Sequence, residues 1–278
     1  MPAKSEQTFA NWTGRPSDAE DERYNWTRDQ IRQALRGGRL DQYDFDVYAK
    51  GSYPNHTNVV RDSDVDIAAE LTSIIQHEFI HSARGLSLSD FGIQRYEGDY
   101  GAPSFKDDVE HALVEHFGRS VVTRGNKSIH IRQTSSGLKA DVVPCMTLIS
   151  HSSRQSQRHG IQIEPDRGPI VHNFPRQHLG EGVRKNDGTY RRYKRVVRIL
   201  KRLENEMVDA RVIDSVPSFL VESLTWNVPD RIFIDNSTWT SRVKESLRHL
   251  YFATDGPEPE EQSDRLLEPR PPRGTGQG

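Results

Sequence analysis

The stretch between Gly51 and Ile67 constrains the fold more than any other part of the chain. It opens on a Gly-Ser turn and closes on alternating polar and apolar residues, Asp64, Val65, Asp66 and Ile67. Side chains two apart on a β-strand point to the same face, so the two carboxylates would project together while the apolar residues face a core. Two adjacent carboxylates repel one another, and a divalent cation removes that conflict. The stretch therefore predicts a strand that presents paired acids to a metal ion.

The turn Gly51-Ser52 adds a predicted phosphate-binding element. Its backbone N–H groups and its hydroxyl can contact phosphate oxygens, as in other phosphate-binding loops. Mg²⁺ commonly bridges one or two carboxylates to substrate phosphates, so a phosphate site is expected beside the acids. An Asp-x-Asp pair alone is more often an acidic turn before an ordinary strand. The Gly-Ser turn at this distance, with a third acid downstream, favours the functional interpretation.

That third acid is Asp141, in the middle of a predicted strand from Leu138 to Cys145. A short turn connects this strand to another at Ser128–Arg132, so we expect an antiparallel hairpin. Apolar residues flank Asp141 on both sides, and a buried unpaired carboxylate is costly. A metal ion or a cation would therefore have to accompany it. The alternative is a carboxylate at a strand edge that is exposed to solvent.

Length and charge narrow the class of protein. The 278 residues suit one large domain or two lobes around a cleft. The net charge of −2 provides no global basic field, so strong general nucleic-acid binding is not expected. The single cysteine, Cys145, excludes an intramolecular disulfide and a cysteine-cluster zinc site. No apolar run approaches the length of a membrane span, and we expect a cytoplasmic protein without membrane contact.

Periodic segments surround the acidic strand. Residues 1–20 are polar and predicted to be irregular, with Phe9 and Trp12 as possible anchors. Ser17 and Glu20 have the spacing of a capping box for an amphipathic helix. That helix reaches Leu35, a strand covers Tyr43–Lys50, the acidic strand ends near Leu71, and a further helix covers Asp107–Gly118.

A rival motif lies at His77-Glu78-Phe79-Ile80-His81, within residues 72–106. It matches the His-Glu-x-x-His helix of zinc proteases, in which two His one turn apart bind zinc and Glu is the base. A third ligand at a recognisable spacing is missing, and the residues that follow favour an early end to a helix. A variable surface segment between a strand and a helix is the favoured interpretation.

The C-terminal half is mainly helical by its periodicity. Residues 150–180 contain one predicted strand, Gly160–Pro165, and connect two lobes. A strong amphipathic helix covers Tyr190–Met207, and its basic side exceeds what its own acids could balance, so we expect some of these cations to meet an anion such as a triphosphate. Further helices are predicted at Val216–Trp226 and Ser237–Phe252, and residues 255–278 are predicted to be a disordered tail.

The Gly-Ser turn followed by Asp-x-Asp resembles the signature of the polymerase β-like nucleotidyltransferase superfamily. Four further segments, at residues 171–175, 182–186, 193–201 and 217–224, resemble a narrower family, the CD-NTases. These are bacterial relatives of cyclic GMP-AMP synthase and oligoadenylate synthase, and they make cyclic di- or trinucleotide second messengers in the anti-phage systems called CBASS. The resemblance covers roughly residues 20–252.

The resemblance implies an α+β fold in which a sheet lobe and a helical lobe enclose the active site in a cleft. Residues 1–160 would form the nucleotidyltransferase core with an N-terminal spine helix that spans both lobes. Residues 161–254 would form the helical nucleotide-binding lobe, and residues 255–278 the tail. The chain lacks the Cys/His zinc insertion of animal cyclic GMP-AMP synthase, so a DNA-sensing role of that kind is not expected.

The resemblance also assigns site residues. Two Mg²⁺ ions per active site, which Mn²⁺ could replace, would bind three acids that are also the catalytic residues. The amide of Asn173 could pair with a base edge, although a turn residue is an equal alternative. The metal-binding acids are Asp64, Asp66 and Asp141, and the nucleotide contacts are Gly51, Ser52, Lys194, Lys201 and Ser218.

The expected reaction joins NTPs, ATP and at least one other, with release of pyrophosphate. The alternative is a nucleotidyltransferase that modifies RNA ends or a protein partner, with the basic helix near Lys185–Arg202 as the acceptor site. An inactive nucleotide-binding scaffold is a further alternative, against which the presence of all three acids argues. The tail ends in Gly278, which makes a C-terminal conjugation partner a hypothesis beside an activating ligand.

Overall fold

The computed structural model describes residues 4–15, 17–59, 64–132, 137 and 139–254. Contacts divide the chain into two compact units. The sheet unit contains the described parts of residues 16–54 and 63–179, and the helical unit contains those of residues 1–15, 55–62 and 180–278.

The sheet unit is built on a mixed sheet of seven strands within the described residues. Its central pair, β2 and β5, is parallel, and the other pairings are antiparallel. The order is β1-β2-β5-β4-β3, and β6 pairs with both β5 and β7. The predicted sheet and the predicted β4–β5 hairpin are therefore confirmed. The strands are β1 Phe45–Ala49, β2 Val65–Phe79, β3 Val122–Arg124, β4 Ile129–Ile131, β5 Ala140–Ser153, β6 Ser156–Ile163 and β7 Val171–Asn173.

Helices α2 (Asp18–Ala34) and α4 (Ala102–Phe117) supply the rest of the sheet unit's core. Ile31 and Phe105 are fully buried against apolar side chains of β2 and β5. The predicted capping box of α2 is wrong, because the Ser17 side chain makes no cap bond. The Glu20 carboxylate instead accepts a hydrogen bond from the Tyr53 hydroxyl at 3.2 Å. A single turn, α3 (Ser52–Asn55), follows β1.

The helical unit begins with α1 (Glu6–Trp12), where an irregular chain was predicted. The Ser5 hydroxyl caps this helix by accepting a hydrogen bond from the Thr8 N–H at 3.1 Å, and Phe9 is buried in the unit's core. The capping residue and the apolar pair of the following turn are the signals that identify the helix. The remaining helices are α5 Pro175–Gly188, α6 Tyr193–Asp209, α7 Ser218–Asn227, α8 Asp230–Asp235 and α9 Trp239–Thr254.

Two sequence-based boundaries differ from the structure. Residues 72–79 were predicted as part of a surface segment, but they continue β2 beside β5 as far as Phe79. Residues 161–179 were grouped with the helical lobe, whereas their contacts group them with the sheet unit, since β6 and β7 extend the sheet. No helix among the described residues combines the length and apolarity of a bilayer span.

Candidate active site

The parallel register of β2 and β5 brings two of the three predicted acids together. Asp66 and Asp141 are direct partners across this pair. Their neighbours Val65, Ile67 and Val142 are fully buried, so the alternation of the strands turns the carboxylates to the opposite face. The side chains are 43% and 31% exposed, which leaves their oxygens accessible to a ligand.

The predicted phosphate turn lies directly against one of these carboxylates. Gly51 has φ +75°, and a Cβ on it would lie 2.6 Å from Asp66 Oδ2. Lys50, which precedes the turn, holds it next to β2. Its N–H donates to the Asp66 carbonyl at 2.9 Å, and its ammonium lies 3.9 Å from Asp66 Oδ1. Glycine is therefore required at position 51 both for its conformation and for the space.

His130 is a site residue that the sequence analysis missed. It is the partner of Asp141 in the antiparallel β4–β5 pair, and its Nδ1 lies 2.5 Å from Asp141 Oδ1. On the other side of the ring, a Cβ at Gly125 would come within 2.4 Å of Nε2. The signal was present, because His130 is the polar residue of an Ile-His-Ile strand that the hairpin sets opposite Asp141.

Asp64 immediately precedes β2, and it is exposed. Within the described ranges, no group of three or more His, Cys, Asp or Glu side chains is arranged to hold a metal ion. The structure thus brings Asp66 and Asp141 together but does not add Asp64 to them. The donor chemistry nevertheless fits a hard divalent cation, because two neighbouring carboxylates supply oxygen ligands only.

The zinc-protease motif is not on a helix. His77, Glu78 and Phe79 lie on β2, where consecutive side chains face opposite ways. His77 Nδ1 lies 3.0 Å from His151 Nε2, and the Glu78 carboxylate lies 2.6 Å from His172 Nδ1. The helical spacing that two zinc-binding His residues require is therefore absent from this segment, as the sequence analysis favoured.

Several cations of α6 point into the helical unit. Lys194, Arg198 and Lys201 are 6%, 4% and 2% exposed. Lys201 Nζ lies 3.6 Å from a carboxylate oxygen of the buried Glu222, which also accepts a hydrogen bond from the Thr57 hydroxyl at 2.6 Å. Burial lowers the pKa of Lys194, and the Glu222 charge opposes that effect. Part of the basic side of α6, which the sequence analysis expected to meet an anion, is therefore buried inside the helical unit.

The remaining predicted contacts are placed on separate elements. Ser52 begins α3, and Ser218 begins α7, where it is half-buried. Asn173 ends β7, and its side-chain oxygen accepts a hydrogen bond from the Phe174 N–H at 2.8 Å. This local bond is the behaviour of a turn residue. Base recognition by Asn173 stays a prediction.

Comparison with known proteins places the chain in a family. A family model described as the cGAS/DncV-like nucleotidyltransferase C-terminal helical domain matches residues 180–269. A cyclic dipyrimidine nucleotide synthase CdnE from Cecembia lonarensis is 36% identical over 257 residues, which cover 91% of this chain and 85% of that protein. The chain belongs to the CD-NTases. It is accordingly a nucleotidyltransferase.

Other CD-NTases extend the comparison. A cyclic dipurine nucleotide synthase from Elizabethkingia meningoseptica is 38% identical, over 89% of this chain and 84% of that protein. The structure of a Rhodothermus marinus CdnE c-UMP-AMP synthase with Apcpp and Upnpp aligns with a TM-score of 0.76 and 26% identity, over 95% of this chain and 94% of that one. The α+β fold implied by the sequence resemblance is thereby confirmed.

Proposed function

We propose that this CD-NTase is a cyclic oligonucleotide synthase that joins NTPs and releases pyrophosphate, in anti-phage signalling of the CBASS type. The observation that carries the proposal is the Asp66–Asp141 pair with the Gly51-Ser52 turn against it. The proposal is also supported by the relatives from Cecembia lonarensis and Elizabethkingia meningoseptica, both of which are cyclic nucleotide synthases by name. Their products differ in base, so the relatives support the reaction class and leave the bases open.

Metal binding is part of the proposal. CD-NTases are metal-dependent in general, and we propose two Mg²⁺ ions, which Mn²⁺ could replace, held by Asp66 and Asp141 with Asp64 as the third acid. When bound, such ions neutralise the triphosphate and favour ionisation of the attacking hydroxyl. The described carboxylates would supply the oxygen ligands, and the Gly51 backbone lies directly against Asp66 with no side chain between them, so a phosphate bound by the turn would be next to this carboxylate.

The proposed nucleotidyl transfer needs no reactant other than the NTPs. A ribose hydroxyl oxygen forms a bond to the α-phosphorus of an NTP, while the bond from that phosphorus to the bridging oxygen breaks and pyrophosphate leaves. We propose that Asp141 accepts the hydroxyl proton, directly or through water. His130 would orient the Asp141 carboxylate by the hydrogen bond between Nδ1 and Oδ1. A second transfer within the linear intermediate would close the ring.

The nucleotide contacts complete the proposal. Ser52 and Gly51 would contact the triphosphate, and Ser218 and Asn173 would lie near the nucleotide. Lys194 is the stronger of the two lysine candidates. Lys201 is 2% exposed and close to Glu222, so its contact with a phosphate would require it to leave that partner. We therefore propose that Lys201 acts through its positive charge near the core of the helical unit.

Product analysis tests the function. Purified protein is incubated with Mg²⁺ or Mn²⁺ and all four labelled ribonucleotides, treated with phosphatase and separated by thin-layer chromatography. A phosphatase-resistant small product is expected, and omission of each NTP in turn identifies its bases. Label transferred to added RNA or protein, with no small resistant product, would instead establish the alternative nucleotidyltransferase that modifies an RNA end or a protein.

The proposed conjugation partner concerns residues 255–278, which lie outside the described part of the chain. We propose that Gly278 is joined to a partner in the native host. Intact-mass spectrometry of the protein from infected cells should show a higher mass beside the unmodified one. The unmodified mass alone throughout infection would contradict the proposal.

A further inference from the structure

A cavity of about 520 Å³ lies in the sheet unit, away from the candidate active site. It is lined by Gln76 on β2 and by Met146 on β5. Met146 is five residues after Asp141, an odd separation that puts the two side chains on opposite faces of the sheet. Gln76 pairs with Leu148 on β5, seven residues beyond the Asp141 that pairs with Asp66, which is roughly 23 Å along the sheet at about 3.3 Å per residue.

The register of the sheet explains why a cavity forms here. Leu71 pairs with Met146, but the next pair is Ile75 with Thr147, so residues 72–74 leave the ladder. The neighbouring strand β1 has already ended, because its outermost pair is Phe45 with Leu71. The first turn of α4 and the segment around Tyr96 border the resulting space instead of a further strand.

The lining combines opposite charges with side-chain amides. Arg95 and Glu164 both line the cavity, and so do Gln76 and Gln162. Among the described residues, neither Arg95 nor Glu164 has a hydrogen bond or an ion pair within the protein. Both side chains are thus available to a ligand, and the Glu164 carboxylate can accept hydrogen bonds from N–H donors. The positive and negative charges offset each other, which favours a neutral ligand.

The neighbours of Gln162 hold it in place. Its side-chain oxygen lies 3.2 Å from His172 Nε2, and the other ring nitrogen of His172 lies 2.6 Å from the Glu78 carboxylate. Gln76 Nε2 lies 3.6 Å from the Met146 sulfur. Gln162 is therefore held on the sheet. Arg95 and Tyr96, which is 46% exposed, line the same cavity from the segment between β2 and α4.

We infer that this cavity binds guanine, as the free base or as guanosine. Guanine presents O6 and N7 as adjacent acceptors, to which an arginine guanidinium donates in a bidentate manner, and the edge next to O6 presents N–H donors, from which a carboxylate accepts. Arg95 and Glu164 supply this pair of groups. The volume of about 520 Å³ lies within the range of small-molecule sites, which is about 300–1,000 Å³. The site is separate from that for the NTP substrates.

Guanosine is the probe, because it carries no phosphate for the active site to bind. Titration calorimetry and saturation-transfer NMR should detect guanosine binding to the full chain, with adenosine at least about tenfold weaker because it lacks both the O6 acceptor and the N–H edge. Glu164→Gln and Arg95→Met should each weaken guanosine binding at least about tenfold. Glu115→Gln, an exposed position on α4, is the matched control and should bind as the parent does.

Three results would overturn the inference. One is the absence of guanosine binding to the parent protein at millimolar concentration. Another is equal binding by Glu164→Gln and Glu115→Gln. The third is loss of binding in Asp66→Asn, since that would assign guanosine to the candidate active site. Melting temperatures verify that the variants are folded, and Arg95, which is exposed, provides a variant with little risk to the fold.

Discussion

At the scale of single residues, the candidate active site depends on how closely its backbone turn approaches a carboxylate. Gly51 leaves no room for a side chain, because the position of its absent Cβ is 2.6 Å from Asp66 Oδ2. Its φ of +75° is also a conformation that other residues rarely adopt. Gly38 has a similar φ of +65° but nothing within 4 Å of its Cβ position. The two glycines thus separate the effect of conformation from the effect of contact.

Gly51→Ala should reduce nucleotide transfer at least about a hundredfold, because displacing a catalytic group by about 1 Å can cost that much. Gly38→Ala carries the same backbone strain without the contact and should retain activity near that of the parent. Initial rates of pyrophosphate release measure both. Equal loss in the two variants would show that strain, and not the position of the Asp66 carboxylate, explains the effect.

His130 provides a second prediction at this scale. His130→Leu removes the hydrogen bond to Asp141 and should lower kcat about tenfold to a hundredfold, while KM for the NTP changes little, because the ring orients an acid and does not bind substrate. His130→Asn, which keeps a polar N–H group, should recover part of kcat. An unchanged kcat in His130→Leu would contradict the orienting role.

At the scale of elements, α6 organises the helical unit through a buried cation. Arg198 donates two hydrogen bonds to the Thr13 carbonyl, at 2.8 and 2.6 Å, and one to the His56 carbonyl at 2.5 Å. Thr13 is the C-cap residue that follows α1, so this guanidinium joins α6 to the C-terminal end of α1. Burial, with Arg15, Arg195 and Arg202 nearby, lowers the pKa of Arg198 to about 10.

Arg198→Met should lower the free energy of unfolding by about 1.5–3 kcal/mol, since carbonyls that bonded a charged group lose their partner. Arg184→Met is the matched control, because Arg184 is 73% exposed and pairs only with Glu181 of its own helix among the described residues. Chemical denaturation monitored by circular dichroism compares the two. A smaller loss in Arg198→Met than in Arg184→Met would refute the anchoring role.

The elements also show what the sequence could predict. The alternation around Asp66 and Asp141 predicted two strands correctly, because a strand with one buried face leaves a period of two in its sequence. It could not predict that these strands are parallel partners, since register depends on residues distant in the chain. His130 was missed although the hairpin was predicted, because the alternation of two strands does not by itself identify which of their residues are partners. Some cations on the basic side of α6 were expected to meet an anion, because periodicity identifies a helix face but not its buried partners. In the structure, Lys201 lies near Glu222 and Arg198 donates to the Thr13 carbonyl.

At the scale of the whole molecule, a buried imidazole and a half-buried one couple stability to pH. His77 and His151 form a stacked pair, and His151 is 2% exposed. Burial lowers the pKa of both rings below the ordinary value of 6.5, and for His77 the neighbouring His151 lowers it further. The folded chain therefore favours the neutral imidazoles. This stabilisation is present above about pH 6.5 and is lost as the pH falls through the lowered pKa values of the folded state.

The melting temperature should therefore fall between pH 7.5 and pH 5.5, by roughly 2–4 °C for each 1 kcal/mol lost. His151→Phe keeps a ring against Phe79 and Phe91 but cannot be protonated, so it should reduce this dependence on pH. His111→Gln replaces a histidine that is 75% exposed and should retain the dependence of the parent. A steeper pH dependence in His151→Phe would contradict the assignment.

The central claim is that Asp66 and Asp141 carry nucleotidyl transfer, and the most direct test compares three single substitutions in the assay for phosphatase-resistant product. Asp66→Asn and Asp141→Asn keep the shape of the side chain but remove the charge that would bind a metal ion. Both should abolish the product while the melting temperature stays close to that of the parent. Asp29→Asn, at a 55% exposed position on α2, should leave synthesis unchanged. Full synthesis by Asp66→Asn or Asp141→Asn would contradict the account.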